Sequence, residues 1–305
     1  MNIQKEIKYL IIFVFCLSLV MGCNLSNNDQ EFSTLLTTGL FSQKIDHGGQ
    51  EREYLIYIPK NYNTTTNIPV ILNFHENGGN NTTFYNTTAM QSLADSETII
   101  LIYPQGVVGG SGTSEWNSYV GVNNKSTIDD FGFIETLIEF LKSKYTIDSS
   151  RIYALGFSNG GMMAYALACF KSELVAAVGT VSATMMTNTI TNCNPSNLTG
   201  IINIHGTYDF ILPYYESYFG YASIQELLNY WVETNQISNT PTEDIINSTI
   251  THYMYINNTL DFSIEHYKVT GGYHEWLNIS VNGLHTNEIL WNYVSKHNTS
   301  GLIKE

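Results

Sequence analysis

From Gly39 onward the hydrophobic and polar positions recur with the short period of extended chain. Residues 41–45 and 53–58 flank the turn cluster Asp46-His47-Gly48-Gly49, so the pattern predicts a β-hairpin that Pro59 ends. Continuous apolar runs then replace alternation, at 69–74, 97–103, 151–155, 175–181 and 200–204. Runs of that length suit strands covered on both faces. Helical periodicity lies between them. Residues 129–145 carry apolar side chains at 131, 133, 134, 137, 138, 140 and 141 behind an acidic start, which predicts a helix with a buried face. Further helices are expected at 160–170, 223–234 and 284–297, and late strands at 249–255 and 262–269. Strands alternating with helices predict one α/β domain, with a mostly parallel central sheet and helices on both faces.

The first 36 residues read differently. Lys5 and Lys8 precede an apolar run, 9–20, that is too short for a comfortable membrane span. The run ends in Val20-Met21-Gly22-Cys23, which resembles a bacterial lipobox. Residues 1–22 are therefore expected to be a lipoprotein-type signal peptide, with Cys23 lipidated, 23–36 a polar tether and 37–300 the catalytic domain. An ordinary secretory signal is the simpler alternative, and both mean export.

Composition narrows the function. Of 305 residues, 43% are hydrophobic and 13% charged, which supports a sizeable core and excludes a disordered chain. A net charge of −14 repels phosphate backbones, so nucleic acid is not an expected partner. Cys16 leaves with the signal, so Cys169 and Cys193 remain in the fold. In an oxidising compartment they most simply form one disulfide, closing a loop of about 25 residues at about 3 kcal/mol; two buried thiols are the alternative. No histidine stands near them at zinc-ligand spacing.

In a parallel sheet, ligands gather at the carboxyl ends of strands, and four of these ends carry candidate chemistry. Gly156-Phe157-Ser158-Asn159-Gly160 is a G-x-S-x-G placed between a strand and a helix. Its small residues allow the sharp turn that lifts a serine hydroxyl from the sheet. His205-Gly206-Thr207-Tyr208-Asp209 supplies a carboxylate able to orient a histidine, with Asp244 and Asp261 as rivals. Gly271-Gly272-Tyr273-His274 supplies a general base in a loop after a late strand, whereas His47 and His297 read as solvated surface groups. His75-Glu76-Asn77-Gly78-Gly79 could offer backbone N–H groups, at 76 or 77, to an oxyanion shared with the N–H of Asn159. Trp116, Tyr119, Tyr214 and Trp276 are candidate substrate-facing aromatics.

Taken together these segments, with Asp129-Asp130-Phe131-Gly132-Phe133-Ile134 and Gly156-Phe157-Ser158-Asn159-Gly160-Gly161-Met162-Met163, resemble the poly(3-hydroxybutyrate) depolymerase-like esterases. That α/β-hydrolase group includes feruloyl and acetylxylan esterases, and the resemblance covers residues 40–297. It implies Ser158 as nucleophile, Asp209 as acid and His274 as base, and a disulfide where Cys169 and Cys193 stand. Two positions depart from the family: Glu76 replaces a glycine in the oxyanion turn, and Tyr273 replaces a glycine before the histidine and should narrow the mouth of the site. The expectation is a monomeric serine esterase that needs no metal or organic cofactor and meets a membrane only through Cys23. Its substrates would be feruloyl or acetyl esters of polysaccharide, or hydroxyalkanoate polyester. A non-catalytic surface lipoprotein and a serine peptidase of the same fold are the alternatives.

Overall fold

The protein is described from a computed structural model that covers residues 37–119, 127–257 and 262–303. The leader, Cys23, the tether up to residue 36 and Asp261 lie outside the described residues. Strands β1 (Gly39–His47) and β2 (Gln50–Ile58) form the expected hairpin. Gly48 and Gly49 both take positive φ in its two-residue turn, a conformation that costs glycine little. After β3 (Ile68–Phe74) come two short helices, α1 (Asn81–Thr88) and α2 (Gln91–Glu97), then β4 (Ile100–Pro104). The pattern of apolar residues starts this strand at 97. Glu97 instead closes α2, and left-handed Thr98 ends the helix.

A two-residue ribbon, β5 (Val107–Val108) with β6 (Ser114–Glu115), precedes α3 (Asp130–Lys144). Asp129 caps α3, its side chain accepting the Gly132 N–H, which satisfies a donor the first helical turn leaves free. The chain continues through β7 (Ile147–Phe157), α4 (Asn159–Phe170), β8 (Ala177–Val181), α5 (Thr187–Asn192), β9 (Gly200–Gly206) and α6 (Ile224–Thr234). An antiparallel run, β10 (Thr242–Ile245), β11 (Ile250–Asn257) and β12 (Phe262–Val269), follows. The last helix is shorter than its periodicity implies. Leu284 and His285 form β14 (Leu284–His285) against β13 (Ser280–Val281), so α7 spans Thr286–Val294. A final ribbon, β15 (His297–Asn298) with β16 (Gly301–Leu302), carries the fold past residue 300.

The sheet runs β1-β2-β4-β3-β7-β8-β9-β12-β11-β10. Its middle, from β4 to β12, is parallel, and antiparallel hairpins extend both edges. Register aligns Phe74 with Gly156, Phe157 with Val181, and Gly206 with Val269. The loops that leave these strands therefore rise from one edge of the sheet. Alternation divides the core: Val70, Leu72, Ile152 and Ala154 pack with α3, α4 and α6 on one face, while Ile71, Tyr153 and Leu155 pack with α1 and α7 on the other. Cys169 and Cys193 form a disulfide with Cα atoms 4.8 Å apart, tying the end of α4 to the segment that enters β9.

Two histidines read as surface groups are otherwise placed. His297 is buried, with Nδ1 bonded to the Tyr293 carbonyl, and burial lowers its pKa to about 4. His47 is half-buried, bonded to Thr136 and packed beside the Phe133 ring. Neither position carries a local sequence signal, because both are covered by helices or strands distant in the chain.

Candidate active site

Ser158 stands between β7 and α4 at φ 53° and ψ −121°, a region that L-residues occupy only when their surroundings hold them there. The flanking glycines are required by contact. A methyl group at Gly156 would lie 2.3 Å from the Gly160 carbonyl oxygen, and one at Gly160 would lie 2.1 Å from that of Phe74. The turn thereby presses the start of α4 against the end of β3 and presents the serine hydroxyl at the sheet edge.

His274 Nε2 is 2.9 Å from Ser158 Oγ, and His274 Nδ1 is 2.7 Å from Asp209 Oδ2. The three side chains from separate loops thus form one hydrogen-bonded series. The loops are laced to each other: the Tyr208 N–H donates to the Gly272 carbonyl and the Gly271 N–H donates to Thr207 Oγ1. A methyl at Gly206 would meet the Gly272 carbonyl oxygen at 2.2 Å. Ser182 Oγ donates to the Glu275 carbonyl and anchors the far side of the histidine loop.

Asp209 is almost fully buried. Burial opposes its charge, but hydrogen bonds from His205, His274 and the Leu212 N–H outweigh it and hold the carboxyl well below the usual range. Its Oδ1 accepts the N–H groups of Ile211 and Leu212, at 2.9 and 2.8 Å. A carboxylate fixed in this way keeps a hydrogen on His274 Nδ1 and leaves Nε2 free to take a proton from the serine. Of the rival carboxylates, Asp244 sits exposed on the edge strand β10.

The turn at 75–79 lies beside this series. His75 is buried and its pKa is lowered to about 4 by burial. Its Nδ1 bonds the Glu76 carbonyl at 2.7 Å, and its Nε2 accepts the Gly106 N–H at 2.9 Å. Among the described residues, no acceptor is bonded to the backbone N–H of Glu76 or of Asn159. The Glu76 carboxylate folds back over its own turn, where a side chain at Gly79 would overlap it. Asn77 is held through its side chain by Thr113 and Glu115.

These groups open into a cavity of about 690 Å³ lined by Glu76, Asn77, Glu115, Trp116, Asn117, Ser118, Tyr119, Phe157, Ser158, Asn159, Met162, Met186, Ile211, Leu212, Tyr221 and His274. Two expected aromatics are not part of that lining. Tyr214 is half-buried, its hydroxyl donating to His266 Nε2. Trp276 packs edge-on against Phe84 and Phe157 in the core. Tyr273, expected to narrow the mouth, leans outward on Tyr208 and Phe210 and is exposed. Sequence reasoning missed the apolar wall of Met162, Met186, Ile211, Leu212 and Tyr221. It also passed over His205, whose Nε2 lies 3.3 Å from Asp209 Oδ2. The four-residue spacing from His205 to Asp209 across a strand end was the available signal for His205. The wall residues had none.

A parallel sheet with helices on both faces, its serine on a sharp strand-to-helix turn, defines the α/β-hydrolase fold. Within that class the chain belongs to the phospholipase/carboxylesterase family, which matches residues 69–254; the match includes Ser158 and Asp209 and stops short of His274. A bifunctional acetylxylan esterase/xylanase of Neocallimastix patriciarum is 24% identical over 253 residues, 83% of this chain and 34% of that protein. A probable feruloyl esterase C of Aspergillus oryzae is 30% identical over 55% of this chain and 58% of its own length. The chain thus spans well under two thirds of either relative. The solved acetyl xylan esterase from Aspergillus awamori superimposes with a TM-score of 0.62 at 15% identity, over 84% of this chain and 99% of that one, a likeness of fold.

Proposed function

We propose that the protein is an exported serine carboxylic-ester hydrolase. The observation that carries this reading is the hydrogen-bonded series Ser158–His274–Asp209 beneath an open cavity. His274 Nε2 takes the hydroxyl proton as Ser158 Oγ bonds to the ester carbonyl carbon, and the carbonyl π pair moves onto oxygen. The N–H groups of Glu76 and Asn159 receive that charge. Collapse of the adduct breaks the bond to the alkoxy oxygen, which leaves as alcohol with the proton from His274. Water then repeats the cycle, giving its proton to His274 and freeing the acid. Asp209 stays ionised throughout, since its hydrogen bonds favour the charged form.

The relatives named for acetylxylan and feruloyl esters point the substrate toward acyl groups carried on polysaccharide. A cavity lined both by polar Glu76, Asn77, Glu115 and Asn117 and by apolar Met162, Met186 and Leu212 suits a substrate that joins a hydroxylated carrier to an acyl group. Export and lipidation belong to the same reading and rest on the basic flank, the apolar run and Cys23. The intact mass of the mature N-terminus checks them: a chain starting at Cys23 without added lipid removes the anchor.

Purified protein is expected to hydrolyse a short p-nitrophenyl ester and to take one fluorophosphonate group, on Ser158. Ser158→Ala should lose both while keeping its circular dichroism spectrum. Retained turnover in pure Ser158→Ala protein would refute the assignment. A panel of methyl ferulate, acetylated xylan and hydroxybutyrate oligomers ranks the acyl groups, and the reading expects the oligomers to be slowest.

A further inference from the structure

Trp116 lies in the lining of the cavity, and its hydrogen bonds give it a second role. Trp116 is 3% exposed, its indole set edge-on to Phe74 and tilted against the His75 ring at centroid distances of 5.1 and 5.2 Å. Its Nε1–H donates to the His75 carbonyl at 3.0 Å. That carbonyl belongs to the same peptide unit as the Glu76 N–H. No cis peptide occurs in the described chain, so the two groups point in opposite directions, and holding one fixes the direction of the other.

The backbone of Trp116 is gripped from the other side. Asn159 Oδ1 accepts the Trp116 N–H at 2.7 Å, and Asn159 Nδ2 donates to the Trp116 carbonyl at 3.2 Å. A backbone N–H beside one end and a C=O beside the other allow only one orientation of the amide. Asn159 is also the first residue of α4, next to Ser158, and carries the second free N–H. A continuous chain therefore runs from the residue bearing one oxyanion donor, through Trp116, to the peptide bearing the other. Two neighbouring bonds stiffen it: the Gly78 N–H donates to the Ser114 carbonyl at 2.7 Å, and the Asn117 N–H donates to Asp130 Oδ2 at 2.7 Å.

We infer that Trp116 is a positioning residue, which sets the separation and direction of the Glu76 and Asn159 N–H groups through its indole N–H and its backbone. The inference rests on the oxyanion role given to those two groups in the proposed function. Hydrogen bonds to a developing oxyanion count only when the donors already stand where the charge will form. A displaced donor weakens the transition state and leaves ground-state binding nearly untouched, so the loss falls on kcat rather than KM.

The test compares wild type, Trp116→Phe and Asn159→Ala. Phenylalanine keeps most of the packing and deletes the indole donor; alanine deletes the clamp and keeps the backbone N–H. In each variant kcat for p-nitrophenyl acetate should fall about 10- to 100-fold, with KM within about twofold. Inhibition by a trifluoromethyl ketone, whose adduct with the serine carries an oxyanion, should weaken by the same factor as kcat/KM. The acidic limb of the pH profile should not move, because His274 and Asp209 keep their partners. Loss in the double variant should be smaller than the product of the single losses, since both act on one chain of contacts. Wild-type kcat and ketone affinity in both variants, or a loss confined to KM, overturn the inference. If wild type takes no fluorophosphonate at Ser158, the underlying hydrolase reading fails first, and this inference with it.

Discussion

Ser158 holds φ 53° and ψ −121° because Gly156 and Gly160 leave room for the chain to turn beneath it. At both glycines a side chain would meet backbone and not a flexible neighbour; at Gly160 that backbone is the Phe74 and His75 carbonyls at the end of β3. Backbone cannot retreat as a rotamer can, so the turn itself must move. Gly160→Ala is therefore expected to cost at least about 2 kcal/mol and to reduce esterase turnover by misplacing both Ser158 and the Asn159 N–H. A thermal melt and an esterase assay read the two effects, and a variant with wild-type values in both would remove the steric account. The residue types at this turn were legible in the sequence, because a strand-to-helix elbow needs small residues at fixed offsets. The roles of Trp116 and His205 were not, since each depends on a partner brought near by another loop.

Helix α3 is locked to the sheet through one buried ion pair. Arg52, on β2, lies 2.7 Å from Asp130, the first residue of α3, with both side chains almost wholly buried. The guanidinium also stacks over the Phe133 ring at 3.9 Å. Asp130 Oδ2 accepts the Asn117 N–H, so the same carboxylate holds the loop that carries Trp116 into the cavity. Burial raises the Asp130 pKa above the ordinary value, against the pull of Arg52. Such a pair adds little net stability when intact, but breaking it strands a charge away from water. Asp130→Asn should cost about 3–5 kcal/mol, read as a lower urea midpoint with the slope unchanged. An unaltered midpoint would mean that Arg52 finds another partner or reaches solvent. The periodicity of 129–145 announced the helix and its apolar face. Nothing in that pattern named Arg52, which is 78 positions away.

Across the whole molecule, His75, His266 and His297 are buried, and burial lowers their pKa values to about 4, 3 and 4. Each is then neutral in the fold at a pH where an unfolded chain would protonate it. Their stabilising effect is complete above the unfolded value of about 6.5 and is lost as pH falls from there toward 4. Each histidine contributes a slope of at most about 1.4 kcal/mol per pH unit within that window. The urea midpoint should therefore drop steeply between pH 7 and pH 5, and a flat midpoint over that range would contradict neutral burial. His75 ties this behaviour to the site, because its unprotonated Nε2 accepts the Gly106 N–H beside the turn at 75–79.

The amino-acid pattern by itself determined the α/β architecture, the hairpin at its start, most of the strands and the residue types of the Ser158, Asp209 and His274 segments. These depend on local periodicity and on turns that only certain residues can make. It missed short helices that lack an apolar stripe, at the Asn- and Thr-rich α1 and at the polar α2. Tertiary structure alone decided which carboxylate meets His274, which aromatics line the cavity, and that His297 lies inside. Those outcomes follow from parallel register, which brings loops separated by tens of residues to one edge, and the contacts made there leave no periodic trace in the chain.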